Sequence, residues 1–431
     1  MRRHRHLHGA FLVSLALSLS ATLALAAGPT VVVEGDLMVV FDVLATGYDG
    51  APVARVEGDG HLVLRRGDVD WRDTQAVTVL PGVVLARVAE HGEAAAFMRY
   101  ATSATAQRSL IEAGLLPASV TVTDQAGRTF EVAQPVERLA SPYSLATYLA
   151  YGVGAGDRVV MAGFLGARDP AGAAAMTRID GRFPELSTVQ AQESTNVEFI
   201  ATIAPDVVFG AARSEWIGPV EAIGIPVVVF DGESTEGLKG AMRLAGLLLG
   251  PDASARAEAW VAYYDHVLER VAAATADASG AESVLFTGTK RTTVASGAMY
   301  QSALIAAAGG ASATAALPGY WNEVGVEQVL VWNPDLILVP PYGGASVEAI
   351  VDDPEWQLLD AVRAGRVLRV PKLVAPWDTP VPDSVLAVVW LAETLHPGSV
   401  TLSCADETDF FYRRFYGYAI SPEEVADLCE R

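Results

Sequence analysis

The sequence predicts an α/β protein with two doubly wound lobes joined by one long backbone helix and preceded by an extra α+β segment. Three observations lead to this prediction. A helix–Pro-Asp–strand pattern occurs twice, helices alternate with apolar strands around it, and one uninterrupted helical stretch lies between the two copies. Apolar strands that directly follow helices are typical of parallel sheets buried on both faces. We therefore expect a parallel sheet in each lobe and a ligand cleft between the lobes.

The repeated pattern lies at residues 196–208 and 325–338. In both copies a short helix begins near a glutamate, ends at Pro-Asp, and is followed at once by a strand of apolar residues. The proline follows the glutamate by seven residues in each copy. The pattern therefore predicts that Glu198 and Glu327 occupy equivalent places in the two lobes.

A stretch without glycine or proline, residues 252–277, predicts the helix that connects the lobes. At about 1.5 Å per residue this helix spans roughly 35–40 Å, enough to reach from one lobe to the other. Trp260, Tyr264, Val267 and Val271 give it an apolar stripe. Because a single helix flexes less than paired strand connections, we expect only small motions of the lobes.

This organisation divides the chain into five parts. They are a signal peptide at 1–26, an appended segment at 27–118, a first lobe at 119–250, the linking helix at 251–279 and a second lobe at 280–431. Within the appended segment, short apolar runs, including one at 37–44, predict strands and turns. Residues 85–113 predict a pair of amphipathic helices. The role of this segment is not indicated by its sequence.

The N-terminus has the composition of a cleavable secretory signal. Three arginines within residues 2–5 precede a mostly apolar stretch at 10–21, and Ala24 and Ala26 supply the small residues of a cleavage site. The apolar stretch is too short to span a membrane, and no cysteine follows the cleavage site to carry a lipid. We expect a soluble protein in the periplasm or an equivalent extracytoplasmic space.

The chain of 431 residues carries a net charge of −21. This charge argues against nucleic acid or an anionic membrane as a partner. Simple solubility explains it, and an acidic functional surface is the alternative.

The chain contains two cysteines, Cys404 and Cys429. In an oxidising compartment such a pair predicts a disulfide, with two free buried thiols as the alternative. The histidines that follow the signal peptide are widely separated. The sequence therefore predicts no metal site, and no cofactor is expected.

Several segments resemble the helical-backbone substrate-binding proteins of ABC importers, the family that carries iron–siderophores, haem, cobalamin and some oxyanions. Besides the repeat, the resemblance includes residues 122–138, 361–371, 377–397 and 415–417, and it covers roughly residues 120–431. It implies a binding protein without enzymatic activity that delivers a small-molecule ligand to an ABC permease dimer with its ATPase. We expect a monomer.

In the resembled family, one exposed glutamate of each lobe pairs with arginines of the two permease subunits. The resemblance therefore implies that Glu198 and Glu327 dock on the permease. Glutamates are also favoured in the first turn of any helix by the helix dipole. That alternative explains one glutamate better than it explains the same offset in both lobes.

Aromatic and basic residues are frequent in the loops at the carboxyl ends of the predicted strands, where open parallel sheets bind ligands. We predict that the ligand-binding residues are Tyr143, Arg168, Arg213, Arg291, Tyr300, Trp321, Trp377 and Asp378. Alternatives stay open for several of them. Tyr143, Tyr300 and Trp321 could pack inside the lobes, Arg291 could be a solvated loop residue, and Asp378 could cap a turn.

The balance of these side chains favours a metal chelate, an iron–siderophore, haem or corrinoid, as the ligand. Broad aromatic walls suit a chelate, whereas a small oxyanion such as molybdate or tungstate needs converging N–H and arginine donors. The candidate aromatic residues outnumber the basic ones; the aromatic set is Tyr143, Tyr300, Tyr320, Trp321 and Trp377, and the basic set is Arg168, Arg213, Lys290 and Arg291.

Two alternatives remain for the function. Residues 94–117 faintly resemble the last helices of molybdate-type binding proteins, which supports the oxyanion. A secreted hydrolase is the more distant alternative, because the chain contains no nucleophile elbow and no histidine paired with a serine or cysteine motif.

Overall fold

The computed structural model of the protein describes residues 28–163, 170–189, 195–276 and 280–430. They form two compact units. The N-terminal unit contains the residues up to 69 together with 75–117, and the C-terminal unit contains 70–74 and the residues from 118 onward. The predicted signal peptide lies outside the described residues. Among those described, no helix is both long and apolar enough to cross a bilayer.

The N-terminal unit combines a mixed sheet with helices. Its strands are β1 (Thr30–Val33), β2 (Ala54–Arg55), β3 (Leu62–Arg66), β4 (Ala76–Leu80) and β5 (Val83–Arg87), and its helices are Met38–Gly47, Gly92–Thr102 and Ala104–Glu112. The strand order is β2-β1-β3-β5-β4. Strand β1 runs parallel to β2 and β3, and β5 runs antiparallel to β3 and β4. Apolar side chains from sheet and helices form a separate core.

One local prediction in this unit is wrong. The apolar run at 37–44 predicts a strand, but Met38–Gly47 is a helix. Val40, Phe41 and Leu44 are buried on one of its faces, a helical spacing that an almost unbroken apolar run conceals. The predicted helix pair also begins later than residue 85, because β5 occupies its start.

The first lobe of the C-terminal unit contains a parallel five-stranded sheet. After an antiparallel hairpin of β6 (Ser119–Thr123) and β7 (Thr129–Ala133), its strands are β8 (Leu139–Ser141), β9 (Val159–Gly163), β10 (Ser187–Val189), β11 (Val207–Ala211) and β12 (Val227–Phe230). The order is β10-β9-β8-β11-β12, and all neighbours are parallel. The helices are Ser144–Gly152, Pro170–Ile179, Val197–Ile203, Ile217–Ala222 and Thr235–Leu249. Strands β11 and β12 are buried along their whole length.

The second lobe repeats this plan with a parallel sheet of four strands. Its strands are β13 (Ser283–Phe286), β14 (Thr293–Ala295), β15 (Ala311–Ser312), β16 (Trp321–Glu323), β17 (Leu336–Val339) and β18 (Val367–Arg369). The sheet order is β15-β13-β17-β18, and β14 pairs separately and antiparallel with β16. The helices are Tyr300–Ala307, Val326–Trp332, Val347–Val351, Asp360–Arg363 and Ser384–Leu395.

One helix of 25 residues, Pro251–Thr275, joins the two lobes. It packs along the last helix of the first lobe, Thr235–Leu249. On the other side, the indole N–H of Trp260 donates a hydrogen bond to the carbonyl oxygen of Pro382 over 3.2 Å. These contacts bury the apolar stripe seen in the sequence. The predicted fold class, two doubly wound lobes with one long linking helix, is confirmed.

The C-terminal region consists of the helices Cys404–Phe415 and Pro422–Cys429. The sulfurs of Cys404 and Cys429 are 2.04 Å apart and form a disulfide between these helices. We call the second helix the terminal strap. Its Glu424 forms an ion pair with Arg178 of the first lobe, and the Arg178 guanidinium lies 5.0 Å from the ring centroid of Tyr418. The strap therefore contacts the first lobe in addition to the second.

A buried carboxylate fixes the helix Cys404–Phe415 against the start of the helix Ser384–Leu395. The hydroxyls of Tyr412 and Tyr416 donate hydrogen bonds to the two oxygens of Asp383, at 2.8 and 2.5 Å. Asp383 has no exposed surface. Burial is the main reason why the pKa of its carboxyl is raised to about 6, against the lowering effect of the two tyrosines.

The sequence repeat corresponds to a repeated structural unit. The helices Val197–Ile203 and Val326–Trp332 have the same length, and both end in a residue with left-handed backbone, Ala204 at φ 48° and Asn333 at φ 37°. No other described non-glycine residue has a positive φ. In each copy the carboxylate of the aspartate after the proline accepts hydrogen bonds from backbone N–H groups. These groups lie at the first residue of a neighbouring strand or just before that strand. The two lobes therefore share one type of turn, in which a non-glycine residue adopts the left-handed backbone conformation.

Candidate functional site

The loops at the carboxyl ends of the strands in both sheets border one cavity of about 430 Å³ between the lobes. We call it the central cleft. Residues that follow β8, β11 and β12 line one side, and residues that follow β13, β17 and β18 line the other. The lining residues are Tyr143, Ser144, Leu145, Arg213, Glu233, Thr289, Thr293, Met299, Gln301, Trp321, Tyr342, Thr379 and Pro380. This is the position at which open parallel sheets bind ligands.

Three of the predicted ligand-binding residues line the central cleft: Tyr143, Arg213 and Trp321. Tyr143 directly precedes the helix Ser144–Gly152 and is almost buried, with 7% of its surface exposed. Burial is the main reason why the pKa of its hydroxyl is raised, so this hydroxyl stays protonated and can donate a hydrogen bond. Arg168 lies outside the described residues.

Two other predicted contacts lie behind the cleft wall. Tyr300 is 1% exposed, and its hydroxyl lies 2.6 Å from the Ser384 hydroxyl. Trp377 has no exposed surface. Both side chains pack in the core of the C-terminal unit, which is the alternative that the sequence left open for Tyr300. They support the wall of the cleft and do not line it.

Asp378 also lies below the surface of the cleft. It has no exposed surface, and one of its oxygens, Oδ2, accepts a hydrogen bond of 2.6 Å from the hydroxyl of Tyr342, which lines the cleft. Burial raises the pKa of Asp378 to about 6 in spite of this donor. Asp378, which was predicted to contact the ligand, is therefore connected to the cleft through its hydrogen bond with Tyr342.

Arg291 belongs to a neighbouring pocket of about 310 Å³, which it lines together with Lys290. Its guanidinium forms an ion pair of 2.7 Å with Asp353. Thr289 lines both this pocket and the central cleft. Arg291, which was predicted to bind the ligand, therefore lies beside the central cleft and forms an ion pair there with Asp353.

The sequence did not single out Glu233 and Gln301. Glu233 follows β12, so its place could have been found from the rule that ligands bind after strand ends. Gln301 is the second residue of a helix whose pattern is apolar, and nothing in that pattern separates it from core positions. The sequence pattern identifies which side of a helix is buried. It does not show that a polar residue on that side lies at the edge of the cleft.

The central cleft contains one cationic and one acidic side chain among its described lining residues, Arg213 and Glu233. Burial, reinforced by the charge of Asp231, raises the pKa of Glu233, while Arg213 acts in the opposite direction. The remaining polar groups are hydroxyls and the Gln301 amide. The described cleft is therefore close to neutral and rich in groups that can both donate and accept.

Trp321 forms the main apolar surface of the cleft. It begins β16, and 39% of its surface is exposed. A side-chain carbon at Gly288 would lie 3.0 Å from the Trp321 ring, so glycine allows the indole to lie directly on the backbone that follows β13. This position holds the ring at the cleft without burying it.

The two predicted docking glutamates are exposed, and each is the second residue of its helix. Among the described ion pairs, neither carboxylate has a partner within the chain. Both are therefore available to an external cation, each beside an exposed apolar side chain of its own helix, Phe199 at 42% and Val331 at 78%.

A family model of periplasmic binding proteins matches residues 147–373, more than half of the chain. The chain belongs to the periplasmic binding protein family. Its two lobes and single linking helix place this binding protein with the helical-backbone substrate-binding proteins of ABC importers.

Known relatives of this periplasmic binding protein include the molybdate-binding protein MolA of Haemophilus influenzae. It is 25% identical over 257 residues, which cover 54% of this chain and 73% of MolA. The structure of MolA bound to molybdate matches with a TM-score of 0.62 at 22% identity, over 70% of this chain and 99% of that one.

Two further solved structures show the same fold. A periplasmic solute binding protein of Veillonella parvula matches with a TM-score of 0.63 and 24% identity, over 72% of this chain and 96% of its own. CeuE of Helicobacter pylori with bound Ni(II) matches with a TM-score of 0.61 and 17% identity, over 72% of this chain and 99% of its own. Together with the family model, these structures show that the fold is that of a periplasmic binding protein.

Proposed function

We propose that this periplasmic binding protein captures a compact metal chelate in the central cleft and delivers it to its ABC permease. The observation that carries this proposal is that the cleft combines the partly exposed Trp321 with polar side chains, among which the described lining residues include one arginine. A chelate presents apolar edges around a polar metal centre. Such a ligand fits a cleft with an aromatic wall and a few directed polar groups.

The charges in the cleft support a chelate over a free oxyanion. A dianion is held best by several converging N–H and arginine donors. The described cleft offers one arginine, and Glu233 stands on the same surface. An ionised Glu233 repels a dianion, whereas a neutral or weakly charged chelate is indifferent to it.

The size of the cleft favours a small chelate. Ligand pockets range over about 300–1,000 Å³, and the central cleft, at about 430 Å³, lies near the lower end. This volume supports a compact chelate, such as a small iron–siderophore, over a complete corrinoid with its nucleotide loop.

We also propose that Glu198 and Glu327 dock on the two permease subunits. Support comes from their equivalent positions on two helices of equal length and from their exposure. Two like charges on separate lobes guide the orientation of the encounter with a basic partner without requiring high affinity.

The experiment that tests the ligand is a titration of intrinsic fluorescence with ferric hydroxamate chelates, haem, cobalamin and molybdate. We expect micromolar or tighter quenching by a compact chelate, accompanied by an increase in Tm, since a ligand that binds only the folded state stabilises it. Replacing Trp321 by Phe should remove most of the quenching but keep the increase in Tm. A response to molybdate with none to any chelate would reverse the proposal.

The second candidate ligand is molybdate or tungstate. The specific observation in its favour is the similarity to MolA, described as a molybdate-binding protein. The hydrolase alternative has no such support, because no histidine or cysteine lies among the described residues that line the cleft. Turnover of ester or peptide substrates in the titration would revive it.

The contribution of the aromatic wall can be measured with Trp321→Ala. We expect the affinity for a bound chelate to fall about tenfold to thirtyfold, because the variant loses the apolar surface and the stacking of the ring. The Tm of the free protein should change little, since the ring is partly exposed. Phe199→Ala removes an exposed ring that does not line the cleft and should leave the affinity unchanged; equal losses in both variants would contradict a specific wall.

A further inference from the structure

The pocket of about 310 Å³ in the second lobe adjoins the central cleft. We call it the side pocket. Thr289 lines both spaces, and Thr292 lines the side pocket whereas its neighbour Thr293 lines the central cleft. The residues that line the side pocket are Thr289, Lys290, Arg291, Thr292, Gly344, Ala345 and Ala349. A ligand in the central cleft therefore meets the side pocket at Thr289.

Two basic residues of the side pocket, Lys290 and Arg291, occupy the tip of a hairpin that connects β13 with β14. Backbone hydrogen bonds close this hairpin. The N–H of Gly288 donates to the carbonyl oxygen of Thr293 over 2.6 Å, and the N–H of Thr293 donates to the carbonyl oxygen of Lys290 over 3.0 Å. The two cations are therefore attached to a backbone that is fixed without a ligand.

The opposite wall of the side pocket is joined to this hairpin. The Thr289 carbonyl oxygen accepts hydrogen bonds from the N–H groups of Gly344 and Ala345, over 2.9 and 2.8 Å. A side-chain carbon at Gly343, where φ is +85°, would lie 2.8 Å from the Cα atom of Thr289. Because both walls are held together in this way, a ligand loses little affinity to the ordering of loops.

The guanidinium of Arg291 is held at one edge by Asp353, over 2.7 Å. Asp353 is itself fixed, since its Oδ1 accepts a hydrogen bond of 2.9 Å from the backbone N–H of Glu355. The Arg291 side chain remains 43% exposed. A guanidinium has five N–H donors, so the ion pair with Asp353 orients Arg291 and leaves donors for a ligand.

Lys290 supplies a charge that no described ion pair of the chain uses. Its side chain is exposed. The described lining of the side pocket contains no carboxylate; Glu323, which accepts hydrogen bonds from the hydroxyls of Thr292 and Thr293, does not belong to it. In a chain with a net charge of −21, two adjacent cations beside a ligand cleft match a negatively charged group of the ligand.

We propose that the side pocket binds an anionic arm of the chelate, a carboxylate, with Lys290 as its main counter-charge and Arg291 as a hydrogen-bond donor. This inference rests on the proposed function, since it specifies which chelates the cleft holds. The neutral metal centre then occupies the central cleft, which Glu233 lines, while the negative charge lies in the side pocket. Carboxylates match ammonium and guanidinium donors in charge, and the guanidinium also in geometry.

The test compares two ferric chelates that differ in one charge. Both contain the trihydroxamate iron centre of desferrioxamine B with a succinyl group on the terminal amine; one keeps the free carboxylate and the other is its methyl ester. We expect the purified protein to bind the carboxylate form about fivefold more tightly at low salt, the strength of a partly exposed ion pair. Salt should reduce the preference. Titration of intrinsic fluorescence measures both affinities.

Variants of Lys290 show whether this residue causes the preference. Lys290→Gln should reduce it to within about twofold, and Lys290→Glu should reverse it in favour of the ester. The control is Arg363→Gln, which makes the same change in net charge at an exposed residue that lines neither space and should keep the preference of the parent. The Tm of each free variant shows whether it is folded.

Succinate without iron or hydroxamate distinguishes an arm-binding pocket from a separate anion site. We expect it to bind at least a hundredfold more weakly than the carboxylate chelate, because it lacks the contacts of the metal centre. If succinate binds as tightly as the chelate, the side pocket is an independent anion site and the inference is overturned.

The remaining outcomes separate the inference from the proposed function. Equal affinities of the parent protein for the two chelates, or a preference that survives in both Lys290 variants, overturn the inference and leave the chelate function intact. If the Lys290 variants do not fold, the comparison in the parent decides. Binding of neither chelate overturns the proposed function, and the inference with it. A preference that Lys290→Gln removes and Arg363→Gln retains supports both.

Discussion

Reversing both docking charges, Glu198→Arg together with Glu327→Arg, is expected to abolish uptake of the ligand by cells while the affinity of the purified protein changes no more than a few fold. Both glutamates are exposed on the first turns of their helices and do not line the central cleft. The change replaces attraction to a basic partner by repulsion at two positions at once. Uptake with the cognate permease and ligand titration of the purified variant measure the two effects.

The matched control is Glu269→Arg together with Glu355→Arg. These glutamates are exposed as well, so the pair gives the same change in net charge at positions outside the repeated helices. We expect uptake to remain near that of the parent. If the docking variant still supports uptake, or if the control loses it equally, the proposed docking positions are wrong.

The second large effect is expected from Asp383→Ala. The variant leaves the buried hydroxyls of Tyr412 and Tyr416 without the acceptor that both now share. We expect the free energy of unfolding to fall by about 3–5 kcal/mol, the usual consequence of removing one partner of a buried charged hydrogen-bond network. Denaturant titration measures this loss of stability. The control is Asp406→Ala, which changes an exposed aspartate in the helix that contains Tyr412 and should have little effect.

Asp383 and Asp378 also predict how stability depends on pH. Burial raises the pKa of each carboxyl from 3.8 to about 6, so between these values the folded protein binds more protons than the unfolded chain. The free energy of unfolding should therefore decrease as pH rises from about 4 to about 7, by an amount on the order of 3 kcal/mol for each group. Asp383→Asn removes one of the two contributions and should flatten the curve; an unchanged slope would contradict the role of Asp383.

The sequence predicted the fold of the two lobes because the decisive signals are local. The seven-residue spacing from glutamate to proline reflects a helix of fixed length, and the following Pro-Asp reflects the turn with left-handed Ala204 or Asn333. The linking helix could be predicted because no glycine or proline interrupts it. These features depend on residues close together in the chain.

The cleft could be predicted only in part, because a loop sequence does not determine which of its side chains reach the ligand. Trp377 and Asp378 occupy a loop at the correct edge of the sheet, yet both are completely buried, and Tyr342 from another loop covers Asp378. That arrangement depends on residues 36 positions apart in the chain. Gln301 was missed for the same reason, since its neighbours in space are not its neighbours in sequence.

The terminal strap has a consequence for the rates of binding. With Arg178 and Glu424 joining it to the first lobe, the lobes have a second connection besides the linking helix. We therefore expect the open and closed forms to differ little. When the cleft is nearly preformed, ligands can associate without a large rearrangement of the protein. The association step then distinguishes little between one ligand and another. We therefore expect good and poor ligands to enter at similar rates and to differ mainly in their residence times.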